Sequence, residues 1–168
     1  VIYCGNNGYP NEPKPLGLYA YNWKTGEAVW EQKPSAFDPN PNLIFDAHSL
    51  AYHNQTIIFG SVSFMYGVDA NSGAVKWKKE GIIGNSGSPF VFHNGVAYAT
   101  SGDGLLHGWD LETGELLLNA KCPSEGKSHN GRRIPGFWAD IGLHVEPNGK
   151  GILIARNYLY AYAFETVR

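Results

Sequence analysis

The side chains best suited to chemistry lie in or beside long stretches without strand patterning. Asp46 and His48 stand two residues apart, and a later stretch carries His129, Asn130, Arg132, Arg133 and Trp138, with Asp140 just beyond it. An arginine fork grips a carboxylate through two parallel hydrogen bonds, an indole stacks on a flat apolar face, and an imidazole exchanges a proton near neutral pH. Together these residue types suit a carboxylate-bearing or sugar-like ligand. Asp46 and Asp140 are in addition candidate oxygen ligands for a hard cation such as Ca²⁺, or hydrogen-bond acceptors for a sugar. Two plainer accounts stand beside these: each Asp caps a corner turn with its own backbone, and Arg132 and Arg133 form a solvated loop pair.

Those stretches are insertions in a repeat. Leu18 to Gly26, Met65 to Gly73, Leu106 to Gly114 and Leu159 to Thr166 fit over one another, in the form Tyr19-Ala20-Tyr21-Asn22, Tyr66-Gly67-Val68-Asp69, His107-Gly108-Trp109-Asp110 and Tyr160-Ala161-Tyr162-Ala163. Self-similarity at a period of roughly 40 to 50 residues marks a repeat architecture. Each unit reads as strands A to D. The A-to-B turn is His53-Asn54-Gln55, His93-Asn94-Gly95 or Pro147-Asn148-Gly149, where Asn and Gly accept the positive φ of a tight hairpin. The C-to-D turn is Lys24-Thr25-Gly26, Asn71-Ser72-Gly73 or Glu112-Thr113-Gly114.

Strand B reads Gln55 to Gly60, Val96 to Thr100 and Gly151 to Ala155, apolar on both faces, as a sheet sandwiched between neighbours requires. Trp30 and Trp77 close strand D, with Leu117 in the corresponding place of the third unit. The small residue of strand C, Ala20, Gly67, Gly108 or Ala161, predicts close approach of adjacent sheets. Stacked four-stranded sheets of this kind are propeller blades.

The expected fold is therefore all-β, a β-propeller of four-stranded antiparallel blades at about 1–32, 33–80, 81–121 and 122–168. Val1-Ile2-Tyr3-Cys4-Gly5 matches strand B, so the first blade lacks strand A, and the last stops before strand D. Unpaired edges of this kind call for further strands. The expectation is a part of a seven- or eight-bladed propeller, or one completed by another chain. Blade geometry sends the D-to-A and B-to-C connections to one face and the tight turns to the other, and the insertions 6–15, 33–45 and 122–139 all fall in the first class. Long loops on a rigid scaffold are where binding and catalysis concentrate.

Composition narrows the partners. The 21 glycines and 14% aromatic residues favour short strands joined by turns, with essentially no helix. A net charge of −2 without blocks of like charge gives no footprint for nucleic acid. Apolar runs such as Thr56 to Phe59 are too short to span a bilayer. Cys4 and Cys122 fall in different repeats and form no metal-ligand cluster. Two thiols are the expectation; a bridge between them would need an oxidising compartment and close Cα atoms.

The strand followed by x-Thr-Gly-Glu-x-x-Trp resembles the PQQ-like repeat, the blade of quinoprotein alcohol dehydrogenases and of the outer-membrane assembly lipoproteins that use such blades without a cofactor. The resemblance implies a periplasmic or extracellular location and leaves three readings open, because one fold hosts unrelated sites. The first is a binding or scaffolding domain whose long-loop face takes a protein or a glycan. The second is a fragment of a PQQ-dependent dehydrogenase, with PQQ and Ca²⁺ as its cofactors, although the adjacent cysteine pair of those enzymes is missing here and none of their ligands maps onto a numbered position. The third is a propeller polysaccharide lyase or other carbohydrate-active enzyme. There, His48 or His129 would take the proton and Arg132 would neutralise the sugar carboxylate. His53, His93, His107 and His144 read as structural.

Overall fold

A computed structural model of the chain describes residues 1–6, 17–37, 50–60, 64–80, 89–133, 136–137 and 141–168. Strands β1 (Ile2–Asn6), β2 (Gly17–Tyr21) and β3 (Ala28–Gln32) form one antiparallel sheet. The second sheet orders β4 (Ala51–His53), β5 (Thr56–Gly60), β6 (Phe64–Asp69) and β7 (Val75–Glu80) side by side. The third repeats that order with β8 (Val91–His93), β9 (Val96–Thr100), β10 (Leu105–Asp110) and β11 (Leu116–Lys121). A two-stranded hairpin, β12 (Ser128–His129) and β13 (Arg132–Arg133), precedes the last sheet of β14 (Gly142–Val145), β15 (Gly151–Arg156) and β16 (Ala161–Glu165). The only helical element among the described residues is a 3-10 turn, Pro34–Ala36. The all-β expectation and the three-stranded end sheets are borne out.

The core lies between successive sheets. Leu18 meets Ile57, Phe59 and Tyr66; Ile58, Met65 and Trp77 meet Ala97, Ala99 and Trp109; Val96, Tyr98 and Leu106 meet Leu153 and Ala155. Strand β5 thus sends Ile57 and Phe59 one way and Ile58 the other, and all five of its residues are buried. Burying both faces removes the alternation that a half-solvated strand would show.

Two tryptophans staple one sheet to the next. Trp77 lies opposite Gly67, and a Cβ on Gly67 would fall 2.2 Å from the indole. The indole also lies over Gly114 of the following sheet and donates to the Leu111 carbonyl at 2.9 Å. Trp30, opposite Ala20, repeats the arrangement against Gly73 and the Ala70 carbonyl, also at 2.9 Å. The small strand-C residue therefore makes room for its own sheet's tryptophan, which then reaches the neighbour.

Strand register corrects three sequence expectations. The residue opposite Gly108 is Leu118, so Leu118 rather than Leu117 replaces the tryptophan. In the last sheet Ala163 pairs with Ile154 as Gly67 pairs with Ile58, so the small position is Ala163 and not Ala161. The run Tyr160-Ala161-Tyr162-Ala163 permits both registers, and its period of two kept the choice open until the pairing fixed it. Finally, β15 is not buried on both faces: Leu153 and Ala155 are buried, whereas Ile154 is 46% exposed. Ile58 and Tyr98, its counterparts, pack on a following sheet that Ile154 lacks here.

Candidate functional site

Antiparallel order places the β9–β10, β11–β14 and β15–β16 connections at one end of their sheets, and hydrogen bonds knit these three together. Asn157, buried in the β15–β16 turn, donates from Nδ2 to Ser124 Oγ at 3.0 Å and to Cys122 Sγ at 3.2 Å. Its Oδ1 accepts the backbone N–H groups of Leu159 and Tyr160, both at 2.9 Å, and its own N–H donates to the Tyr160 carbonyl. One amide thus closes the turn and anchors it to the neighbouring connection, an Asx turn with a buried handle. The turn holds Tyr158, Leu159 and Tyr160 outward, 73%, 47% and 44% exposed.

Beside it, Gly104 of the β9–β10 connection accepts the Phe137 N–H at 2.7 Å. Gly104 has φ +81°, and a Cβ there would lie 3.0 Å from the Gly136 backbone, so both the conformation and the contact demand glycine. Phe137 is fully buried, edge-on to Tyr162 and Phe164. The β12–β13 hairpin turns through Asn130 (φ 50°) and Gly131 (φ 76°), the positive-φ pair of a type I′ turn. The described part of this connection therefore carries a short hairpin.

Of the candidates from sequence, His129 is exposed at the end of β12, directly opposite Arg132 in the hairpin register, and Arg133 pairs with Ser128. Asp46, His48, Trp138 and Asp140 lie outside the described residues.

Two other histidines, His53 and His93, are built into the contacts between sheets. His53 stacks on Phe92 at 4.6 Å, and His93 Nδ1 lies 3.1 Å from both Thr166 Oγ and the Arg168 carbonyl. His107 holds a buried pair with Asp103, Nε2 to Oδ2 at 3.1 Å, while Asp103 Oδ1 also accepts the Leu105 N–H and the Ser101 hydroxyl. Here the hydroxyl bonds the carboxylate and not the imidazole, so this is not the relay of an activated serine. Cys122 is a buried free thiol, Cys4 is exposed, and no disulfide joins them. Among the described residues no three His, Cys, Asp or Glu side chains converge as metal ligands, and no helix is long and apolar enough to cross a membrane.

Sequence reasoning passed over Asn157 and the turn it presents, although Asn before a Tyr-Leu-Tyr run is a turn signal. It also passed over Asn130-Gly131, the same hairpin signal as Asn94-Gly95.

The family model described as outer membrane protein assembly factor BamB matches residues 60–161. The chain belongs to this family of PQQ-like repeats. BamB of Moraxella catarrhalis superposes with a TM-score of 0.59 at 18% identity, over 98% of this chain and 50% of that one. The quinohemoprotein alcohol dehydrogenase ADHIIG of Pseudomonas putida gives 0.55 at 15% identity over 84% of this chain and 26% of that one, and the computationally designed Ika4 protein 0.55 at 14% over 89% and 79%. At these identities the likeness is one of fold, and the chain spans half the length of the BamB structure. No curated protein matches it in sequence. PQQ-like repeat family membership and the blade-based propeller architecture are thus established together.

Proposed function

We propose that this chain is an extracytoplasmic PQQ-like-repeat propeller unit that works as a binding scaffold, taking a protein partner on the face where its long connections emerge. The observation that carries this reading is the Tyr158-Leu159-Tyr160 turn. Large apolar and aromatic side chains stand exposed on a turn whose geometry a buried asparagine fixes. Rigid aromatic anchors lose little entropy on binding and dominate the energetics of protein interfaces. Family membership supports the scaffold role and the extracytoplasmic setting. His129, Arg132 and Arg133, on the β12–β13 hairpin, would supply the polar rim, with Asp46, His48, Trp138 and Asp140 as further candidates.

The end sheets are the second part of the proposal. Strand order leaves β1 and β16 at sheet edges, and the outward residues His144 and Ile154 are exposed where their counterparts meet another sheet. Further blades, from the same polypeptide or a second chain, would cover them.

Site-specific photocrosslinking in cells tests the scaffold reading. Benzoylphenylalanine at position 158 is expected to give a discrete, protease-sensitive adduct, and the same probe at Trp23, exposed on the opposite turn, none. Equal labelling from both positions, or none from position 158, refutes it. A protease-resistant, glycosidase-sensitive adduct would replace the protein partner with a glycan.

A further inference from the structure

A row of three residues recurs across the sheets, and in the last sheet it stops at two. Tyr3, Ala20 and Trp30 lie side by side in the first sheet, Ile58, Gly67 and Trp77 in the second, and Tyr98, Gly108 and Leu118 in the third. The outer residue reaches over the small one to the inner one: the Tyr3 and Trp30 rings are 5.9 Å apart, and Ile58 and Trp77 share one buried cluster. In the last sheet Ile154 pairs with Ala163, and β16 is the edge strand. Among the described residues nothing pairs with Ala163 on its outer side, Ala163 is exposed, and Ile154 is 46% exposed. Native edges are ordinarily blunted by charge or proline. Ala161 and Ala163 supply neither, and Glu165 stands only at the strand's end.

The chain's own course leads away from that place. In the first three sheets the residue two beyond the small one is Asn22, Asp69 or Asp110, and its side chain accepts backbone N–H groups of the turn that reverses the chain into the fourth strand. The matching residue of the last sheet is Glu165, one methylene longer, and it bonds the Lys150 ammonium. Thr166 to Arg168 lie against the third sheet. The Val167 N–H donates to the Tyr98 hydroxyl at 3.1 Å, the Arg168 carbonyl lies 3.1 Å from His93 Nδ1, and the Arg168 guanidinium meets Asp110 Oδ2 at 2.6 Å. The turn that would fold this chain back along β16 has lost its acceptor, and the residues after β16 are tied elsewhere.

We propose that the open edge of β16 takes a strand of a second, different polypeptide, with a tryptophan opposite Ala163 and its indole over Ile154. This rests on the reading of the end sheets as open, and it names what covers the last one. In strand addition the main-chain bonds give affinity and the pockets for alternate side chains give selectivity. Here the pocket floor is Ala163 and Ile154, and the strand that fits it is of the β7 type.

The test is an NMR titration at the Ile154 and Ala163 methyl groups with the peptide acetyl-Gly-Ala-Val-Lys-Trp-Lys-Lys-Glu-amide, the sequence of residues 73–80. Saturable shifts and slowed amide exchange along β16 are expected, at least tenfold weaker with the Trp-to-Ala peptide of equal charge. Ala163→Phe fills the place of the indole at an exposed position, so it should keep its far-UV spectrum and melting temperature and lose the response. No shift at millimolar peptide, an equal response to the alanine peptide, or an undiminished response in folded Ala163→Phe would each overturn the proposal. Self-association of the chain alone, abolished by Ala163→Phe, would put a second copy on the edge and overturn it too. In cells, benzoylphenylalanine at position 161 should give an adduct that mass spectrometry maps to a tryptophan-bearing segment of another protein; a crosslink within the same polypeptide would overturn the assignment to a second one. The crosslink at position 158 reads a different surface, so failure here leaves the long-loop reading standing.

Discussion

The indole N–H of Trp77 bonds the carbonyl of Leu111 across the boundary between two sheets, at 2.9 Å. Both residues are more than nine-tenths buried, so the bond forms where water does not compete. Trp77→Phe keeps most of the ring and leaves the Leu111 carbonyl unmatched, which should cost about 1–3 kcal/mol. Trp77→Ala adds a cavity and should cost about 3–5 kcal/mol. Urea unfolding checks both, and equal losses in the two variants would show that packing alone carries the contact.

The same indole fixes what position 67 tolerates. A methyl group on Gly67 would lie 2.2 Å from Trp77, whereas one on Gly142 in β14 meets nothing nearer than 4.0 Å. Gly67→Ala should therefore destabilise by about 1–3 kcal/mol through overpacking, and Gly142→Ala should stay within about 0.5 kcal/mol of the parent. A Gly67→Ala protein as stable as the parent would mean that the staple repacks freely.

How much of this was legible in the chain differs by element. The Tyr-Gly-Val-Asp type of strand and the Thr-Gly turns gave the blade, because glycine opposite tryptophan and an Asx turn after the strand are local requirements written in residue type. The fourth unit was misregistered, since Tyr160 to Ala163 repeats with the period of the strand itself and only pairing with Ile154 separates the two choices. The β12–β13 hairpin was read as an insertion although Asn130-Gly131 announced it.

Acid should weaken the C-to-D turns in a defined direction. The Ser72 hydroxyl and backbone N–H hold the Asp69 carboxyl below the usual range, helped by the Asn71 N–H and Lys76 against a smaller effect of burial. Burial pushes Asp110 up, but its bonds from Thr113, Arg168 and Glu112 prevail and its carboxyl is also lowered. A carboxyl lowered in the folded state contributes stability that is fully present above its unfolded value of about 3.9 and lost as pH falls through the folded value. Asp69→Asn should flatten the fall in urea midpoint below about pH 4, and Ser72→Ala should flatten it less, because the backbone donors remain. Identical acid limbs in all three proteins would remove Asp69 from the account.

The Asn157 turn links stability to chemistry at a thiol. Its amide donates to Cys122 Sγ and Ser124 Oγ while holding the two N–H groups that shape the exposed turn. Asn157→Ala removes all four bonds and leaves buried groups unmatched, so it should cost more than a single hydrogen bond's roughly 0.5–1.5 kcal/mol. Asn157→Asp keeps the acceptor for the turn but loses the amide donors and places a carboxylate beside the thiol. In a Cys4→Ser background, a thiol reagent should label native Cys122 slowly, faster in Asn157→Ala, and with a rate that tracks local opening more than global unfolding. If Cys122 labels as fast in the parent as in the variant, the turn is open in solution, and the Tyr158-Leu159-Tyr160 surface loses the rigidity on which the scaffold reading depends.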